Sequence, residues 1–191
     1  MKNVDCHTRA AIPADAPALA ALGERTFRDT FGADNTPANL AHHIAGTYGP
    51  ARQAAELADP DRTTLVAATA AGTLIGFAQL RAGAAPPCVT GVAPLELLRL
   101  YVDRAYHGRG VAQALMAATL DAAAARGATT IWLGVWERNP RAIAFYTKWG
   151  FHDVGSHEFV LGSDRQTDRV MVRPVAGQRT SSPVPGTATG Q

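Results

Sequence analysis

Hydrophobic positions recur along this chain with two different periods, and the switches between them sketch its elements. Residues 4–11 read as a first strand. From Pro13 and Asp15 to about Phe31 the spacing turns helical, with Leu19, Leu22 and Phe27 near one face. Thr36-Pro37 opens a second helix, threonine as cap and proline in the first turn, which should end near Gly46. Pro50 to about Ala58 is a third short helix, and Asp59-Pro60-Asp61 breaks the chain after it. Residues 64–70 and 73–82 alternate as two strands of a hairpin turning at Ala71-Gly72. A loop with Pro86-Pro87 leads to a buried strand over 95–102. Gly110 to Arg126 then reads as a long helix with Val111, Leu115 and Leu120 on or near one face, closed by Gly127. A strand over 130–135, a helix from Asn139-Pro140 to Trp149 stopped by Gly150, and strands over 151–161 and 168–175 complete the pattern. About seven strands with helices between them make an α+β chain, and residues 95–135 predict a parallel, right-handed β-helix-β crossover.

Composition narrows this picture. Of 191 residues, 47% are hydrophobic and 18% charged, so residues 1–175 are expected to fold as a single domain with its own core. Residues 176–191 are mostly Gly, Ser, Thr and Pro and are expected to be a disordered tail. No apolar run is long enough to cross a membrane, and the N-terminal stretch lacks the apolar core of a signal peptide, which points to a cytoplasmic protein. Cys6 and Cys88 show no metal or redox spacing. The adjacent His42 and His43 point to different sides of a helix, so no metal site is expected.

The net charge of +2 is unevenly spread. Residues 1–60 hold five basic and seven acidic side chains, whereas residues 96–150 hold seven basic and four acidic. The middle of the chain suits an anionic ligand and the first third tolerates a cationic one. No basic block is dense enough for nucleic acid.

Two stretches carry candidate chemistry. The first, residues 95–112, runs from the buried strand through His107-Gly108-Arg109-Gly110-Val111-Ala112 into the long helix. Glycines before a helix let the backbone approach a ligand, and the free N–H groups and dipole of the helix N-terminus favour an anion. A third glycine of the dinucleotide fingerprint is missing, as is the Gly-Lys-Ser/Thr of a nucleoside triphosphate loop. The second stretch, residues 136–151, has Asn139, Ala142, Tyr146, Gly150 and Phe151 in the spacing N-x-x-A-x-x-x-Y-x-x-x-G-F.

Together the two stretches resemble the GNAT family of acetyl-CoA-dependent N-acetyltransferases, over about residues 4–175. The resemblance implies a central, mixed but mostly antiparallel twisted sheet of about seven strands, flanked by helices and splayed at the coenzyme A site. It implies acetyl-CoA as acyl donor, with backbone groups of Leu100, Tyr101 and Val102 along the pantetheine arm and amides from Gly108 through Arg109, Gly110 and Val111 to Ala112 on the pyrophosphate. His107 departs from the family pattern, which has Gln or Arg there. Asn139 is either a helix cap or a coenzyme contact, and Lys148 either reaches a coenzyme phosphate or lies on a solvated face. Tyr146 is read as the acid that protonates the leaving thiolate, against a packing role beside Phe145 and Trp149.

Strand alternation puts Glu96 in register with Leu98, Leu100 and Val102. The resemblance makes it a candidate base, against a structural or substrate-orienting carboxylate or a water relay. The segments 26–31, 132–139 and 166–168 are similar to the polyamine N-acetyltransferase, or PaiA-like, branch. That similarity implies an acceptor such as spermidine or spermine, walled by Phe27, Asp29, Phe31 and Glu96. Glu24 and Asp34 fall in the same region, and a solvated helix face is the alternative for these carboxylates. The acceptors weighed beside a polyamine are a peptide N-terminus, an amino acid and a drug amine. From another class, a non-catalytic acyl-CoA sensor stays open. Neither cysteine sits in a motif for an acyl-enzyme, so direct attack in a ternary complex is expected, by a monomer or homodimer.

Overall fold

The computed structural model describes residues 3–91, 93–161 and 164–175; the expected tail at 176–191 lies outside them. The elements are β1 (Cys6–Ala10), α1 (Ala16–Phe31), α2 (Pro37–Thr47), α3 (Pro50–Ala58), β2 (Arg62–Thr69), β3 (Leu74–Ala82), β4 (Pro94–Val102), α4 (Val111–Ala125), β5 (Thr130–Trp136), α5 (Pro140–Lys148), β6 (His152–Leu161) and β7 (Asp164–Pro174). The seven strands form one sheet in the order β1-β2-β3-β4-β5-β7-β6. Every neighbouring pair is antiparallel except β4 and β5, which α4 joins as a parallel pair. This is the α+β arrangement that the resemblance implies, a mixed and mostly antiparallel seven-stranded sheet.

Local chemistry sets the helix ends. Thr36 Oγ1 accepts the Asn39 N–H and Asn139 Oδ1 accepts the Ala142 N–H, each with proline as the next residue. Gly127 and Gly150 take left-handed φ just past α4 and α5, as C-terminal caps require. The last strand starts at Asp164, four residues before the expected start. Its polar first half lacks an apolar period and is held instead by pairing with β6, from Leu161 opposite Asp164 to Glu158 opposite Thr167.

Helices cover both faces of the sheet. On one face Val111, Leu115 and Met116 of α4 pack on Leu80, Leu95 and Leu97, with α5 alongside. On the other, Leu19 and Leu22 of α1 pack on Val66 and Phe77. Gly76 faces α4 closely: a Cβ there would lie 2.9 Å from the Tyr101 carbonyl and 3.0 Å from Leu115.

Among the described residues, no helix is long and apolar enough to cross a membrane.

Candidate active site

The sheet is nearly divided at its centre. β4 and β5 pair through only three residue pairs, Pro94 with Thr130, Leu95 with Ile131 and Glu96 with Trp132, and then diverge. The wedge between them is a cleft of about 270 Å³. Residues 97–102 form one wall and residues 134–136 the other, with Asn139, Ala142 and Tyr146 of α5 on the α4 side and Thr26, Phe27, Thr30 and Phe31 of α1 on the opposite side. Beyond the third pair, the β4 groups that point away from β3 have no strand partner, so an extended chain can bond along this edge.

A bulge fixes what the β4 side chains face. Leu97 pairs with Leu80 and Arg99 with Gln79, leaving Leu98 without a counterpart on β3. The extra residue interrupts the two-residue alternation. Leu100 and Val102 therefore join Leu95 and Leu97 on the α4 face, whereas Glu96 falls on the face of Arg99 and Tyr101. This corrects the expected register of Glu96 with Leu98, Leu100 and Val102. The Glu96 carboxylate is buried and accepts a 2.7 Å hydrogen bond from Arg81 Nε, its cross-strand partner. It is not among the residues that line the cleft. In this geometry its carboxylate is held by Arg81 on the neighbouring strand, outside the cleft lining.

At the mouth of the wedge the chain makes an anion-compatible turn. Gly108 and Gly110 have φ of 71° and 87°, left-handed values that a side chain would strain, and Gly110 is the cap residue of α4. Gly108, Gly110, Val111 and Ala112 line a groove continuous with Leu100 and Val102 and closed by Phe145 and Tyr146. The first-turn amides of a helix have no intrahelical acceptor. A glycine turn, free helix amides and an open strand edge in one line fit a pyrophosphate followed by an extended arm. Arg109 is exposed, its guanidinium 5.8 Å from the Tyr106 ring. Lys148 is exposed at the end of α5 and outside the residues lining the cleft and groove.

His107 has both ring nitrogens engaged. Nε2 lies 2.9 Å from the Val102 carbonyl and Nδ1 lies 2.9 Å from Arg141 Nη1. The carbonyl can only accept and the guanidinium can only donate, so the contacts pair Nε2 as donor with Nδ1 as acceptor. The ring ties the end of β4 to α5 and holds Arg141, which lines the cleft and the groove. A glutamine amide offers the same pairing of one donor and one acceptor. His107→Gln is accordingly expected to keep coenzyme affinity within about threefold. His107→Ala should weaken it by about tenfold, the worth of a charge-assisted hydrogen bond; isothermal titration with coenzyme A measures both.

Tyr146 projects from α5 toward the wedge, its ring 5.7 Å from Phe151 and 5.5 Å from Phe145. Burial, and then the neighbouring Tyr101, push its hydroxyl well above the ordinary phenol range, so it is fully protonated at neutral pH. Asn139 both caps α5 and lines the cleft.

The far side of the wedge is aromatic. Phe27 stacks on His43 at 4.5 Å and tilts on Phe31 at 4.6 Å, and Phe31 lies 5.7 Å from Trp136. Burial, then the charges of Arg99 and His42, hold the His43 imidazole below its ordinary range. Arg99 also lines the cleft but is committed elsewhere, donating to Glu56 at 2.6 Å and Gln79 at 3.0 Å. Burial pushes Glu56 upward, yet its bonds to Arg99 and Gln79 and the charge of Arg62 outweigh that and leave it below the usual carboxylate range.

Of the acidic residues expected near the acceptor, Glu24 pairs with exposed Arg28 at 3.0 Å. Asp29 and Asp34 line a neighbouring groove shared with Arg104, Arg138 and Arg141. The carboxylate that does line the cleft is Asp168 of β7. Asp168 and Arg141 carry no spacing signal for this position; only the strand register and the His107 contact bring them there.

Similarity to known proteins agrees with this geometry. Residues 27–151 match the profile of the Acetyltransferase (GNAT) family. An uncharacterized N-acetyltransferase of Mycobacterium tuberculosis is 39% identical over 159 residues, spanning 83% of this chain and 97% of its own length. An uncharacterized N-acetyltransferase of Lactobacillus delbrueckii subsp. lactis is 32% identical over 154 residues, covering 81% and 88%. The PaiA N-acetyltransferase from Thermoplasma acidophilum, solved in complex with coenzyme A, superposes with a TM-score of 0.72 over 90% of this chain and 99% of its own at 22% identity. That likeness shows the fold. With the family profile and the relatives, it places the chain in the GNAT family, as an acetyl-CoA-dependent N-acetyltransferase.

Proposed function

We propose that this acetyltransferase modifies a primary amine carried on a single apolar or aromatic body, by direct attack on the thioester in a ternary complex. In this reading the pantetheine arm lies along residues 100–102 and the pyrophosphate on the turn from Gly108 to Ala112. Tyr146 gives its proton to the departing sulfur. The observation that carries the acceptor class is the far wall of the wedge: Phe27, Phe31, Tyr48, Trp136 and Phe159 line the cleft together with one carboxylate, Asp168. An aromatic wall gains from burying an apolar body, and one carboxylate answers one ammonium.

A polyamine such as spermidine, the acceptor implied by the PaiA-like segments, fits less well. It requires several carboxylates along its length, and Asp29 and Asp34 share their groove with three arginines. Release of coenzyme A, followed with a thiol reagent over phenethylamine, tyramine, amino acid amides, spermidine and spermine, tests the reading. The aromatic monoamines are expected to exceed the polyamines in kcat/KM by about tenfold, the scale set by one well-filled apolar subsite. Higher kcat/KM for spermidine would restore the polyamine. Tight binding of acetyl-CoA with no amine-dependent release would favour the sensor.

A further inference from the structure

Two polar groups meet on the acceptor side of the wedge: Asp168, read above as the partner of the ammonium, and His157, which has had no role so far. Asp168 on β7 stands opposite Trp136 on β5 and opposite His157 on β6, so all three share the face that α1 covers. Between them lies Gly134. A Cβ there would come within 2.8 Å of His157 Nε2 and 3.2 Å of Asp168 Oδ2, so only the bare glycine lets both groups reach over β5. His157 Nε2 is 3.8 Å from Asp168 Oδ2, and it is buried without a hydrogen-bond partner. Among the described residues, no lysine or arginine lies within ion-pair distance of Asp168. The His157 nitrogen is poorly satisfied as structure, and the Asp168 carboxylate beside it has no fixed cation. That carboxylate is well placed for a cationic visitor. Tyr146 reaches the same wedge from the α4 face, so the two groups flank the divided sheet from opposite sides.

We infer that Asp168 is the proton acceptor for the attacking amine, standing beside His157 and admitted to the wedge by Gly134. The inference rests on the acetyltransferase reading above. The acceptor arrives as an ammonium and Asp168 takes one of its protons, freeing the nitrogen lone pair. The nitrogen forms the new C–N bond to the acetyl carbon. As the C–S bond breaks, its electron pair goes to sulfur, which takes the Tyr146 proton. Tyr146 recovers a proton from the acylated nitrogen, and Asp168 passes its own to water. The products are an amide, a free thiol and one proton.

The surroundings suit the role. Burial raises the Asp168 carboxyl above its ordinary range, the charge of His157 lowers it, and that of Glu137 raises it again. Tyr101 of β4 also feels its charge, and Arg138 stacks on Trp136 at 4.9 Å. Arg99 and His43 face the same cleft from β4 and α2. A carboxyl whose pKa is raised by folding contributes stability at low pH that is lost as pH rises through the folded value. Removing its charge should therefore leave the chain as stable or more so at neutral pH, which is the opposite of what a structural ion pair predicts.

The test uses an amine that the wild type acetylates and compares Asp168→Asn with wild type from mildly acidic to alkaline pH. Asp168→Asn is expected to lose about a hundredfold in kcat/KM at neutral pH. It should recover toward wild type as pH nears the amine's own pKa, with coenzyme affinity unchanged and Tm equal or higher. With trifluoroethylamine, whose nitrogen is largely unprotonated at neutral pH, the deficit should shrink to a few-fold. Asp168→Glu should retain part of the rate and the acidic limb of the profile. Wild-type kcat/KM in Asp168→Asn at every pH would overturn the assignment, as would a deficit independent of pH and amine basicity. A loss that follows His43→Gln with Asp168→Asn unaffected would move the base to His43 and overturn it too. A wild type that releases no coenzyme A with any amine would instead sink the acetyltransferase reading itself.

Discussion

Tyr146→Phe is expected to lower kcat by about 10²–10⁴-fold, the usual worth of a positioned general acid, while coenzyme affinity stays within about twofold. The substitution removes one oxygen and leaves the ring, so the packing on Phe145 and Phe151 persists. A thiol has an ordinary pKa of about 8.5, so a departing thiolate gains at neutral pH from a proton or hydrogen bond, which the protonated Tyr146 hydroxyl can donate as charge develops on sulfur. The split between kcat and binding is the measurement that matters. Full turnover in the variant would leave Tyr146 as a packing aromatic, and a loss confined to coenzyme affinity would make it part of the binding wall.

Phe77→Ala is expected to destabilise the fold by about 3–5 kcal/mol, measured by urea melts, the range for deleting a buried phenylalanine ring. Phe77 is fully buried in β3, packed with Leu19, Leu22 and Val66, and its ring meets Tyr101 edge-on at 5.5 Å. It joins α1 to the β4 wall of the wedge. Unfolding unchanged from wild type would mean that α1 is held from elsewhere.

What the chain disclosed in advance follows the range of the interaction involved. The helix ends were legible because their signals are local: Thr36 and Asn139 cap with their own side chains, and Gly127 and Gly150 take left-handed φ. The turn with Gly108 and Gly110, the neighbouring residues 100–102 and the cleft-lining Tyr146 were legible through motif spacing. Glu96 was misplaced because alternation counts residues and cannot see an unpaired Leu98. The start of β7 was missed because Asp164-Arg165-Gln166-Thr167 has no apolar period and exists as strand only through β6. Asp168, His157 and Gly134 lie on three strands, and nothing shorter than the strand register brings them together. His107 departs from the Gln or Arg of the family pattern, yet its two contacts pair one donor with one acceptor as a glutamine amide could.

The brevity of the β4–β5 pairing has a consequence for how the protein should behave in solution. With three residue pairs at the seam, β1-β2-β3-β4 and β5-β7-β6 form two half-sheets that share little backbone bonding. In the proposed binding mode the donor lies along β4 and completes the ladder as an eighth strand would. Such a ligand binds the folded chain and not the unfolded one, so it adds stability by mass action, about 2.7 kcal/mol at a hundred times its dissociation constant. In that binding mode the coenzyme is part of what holds the two halves in register, and the amide hydrogens of residues 98–102 that point away from β3 should exchange faster in the free protein than with the donor bound.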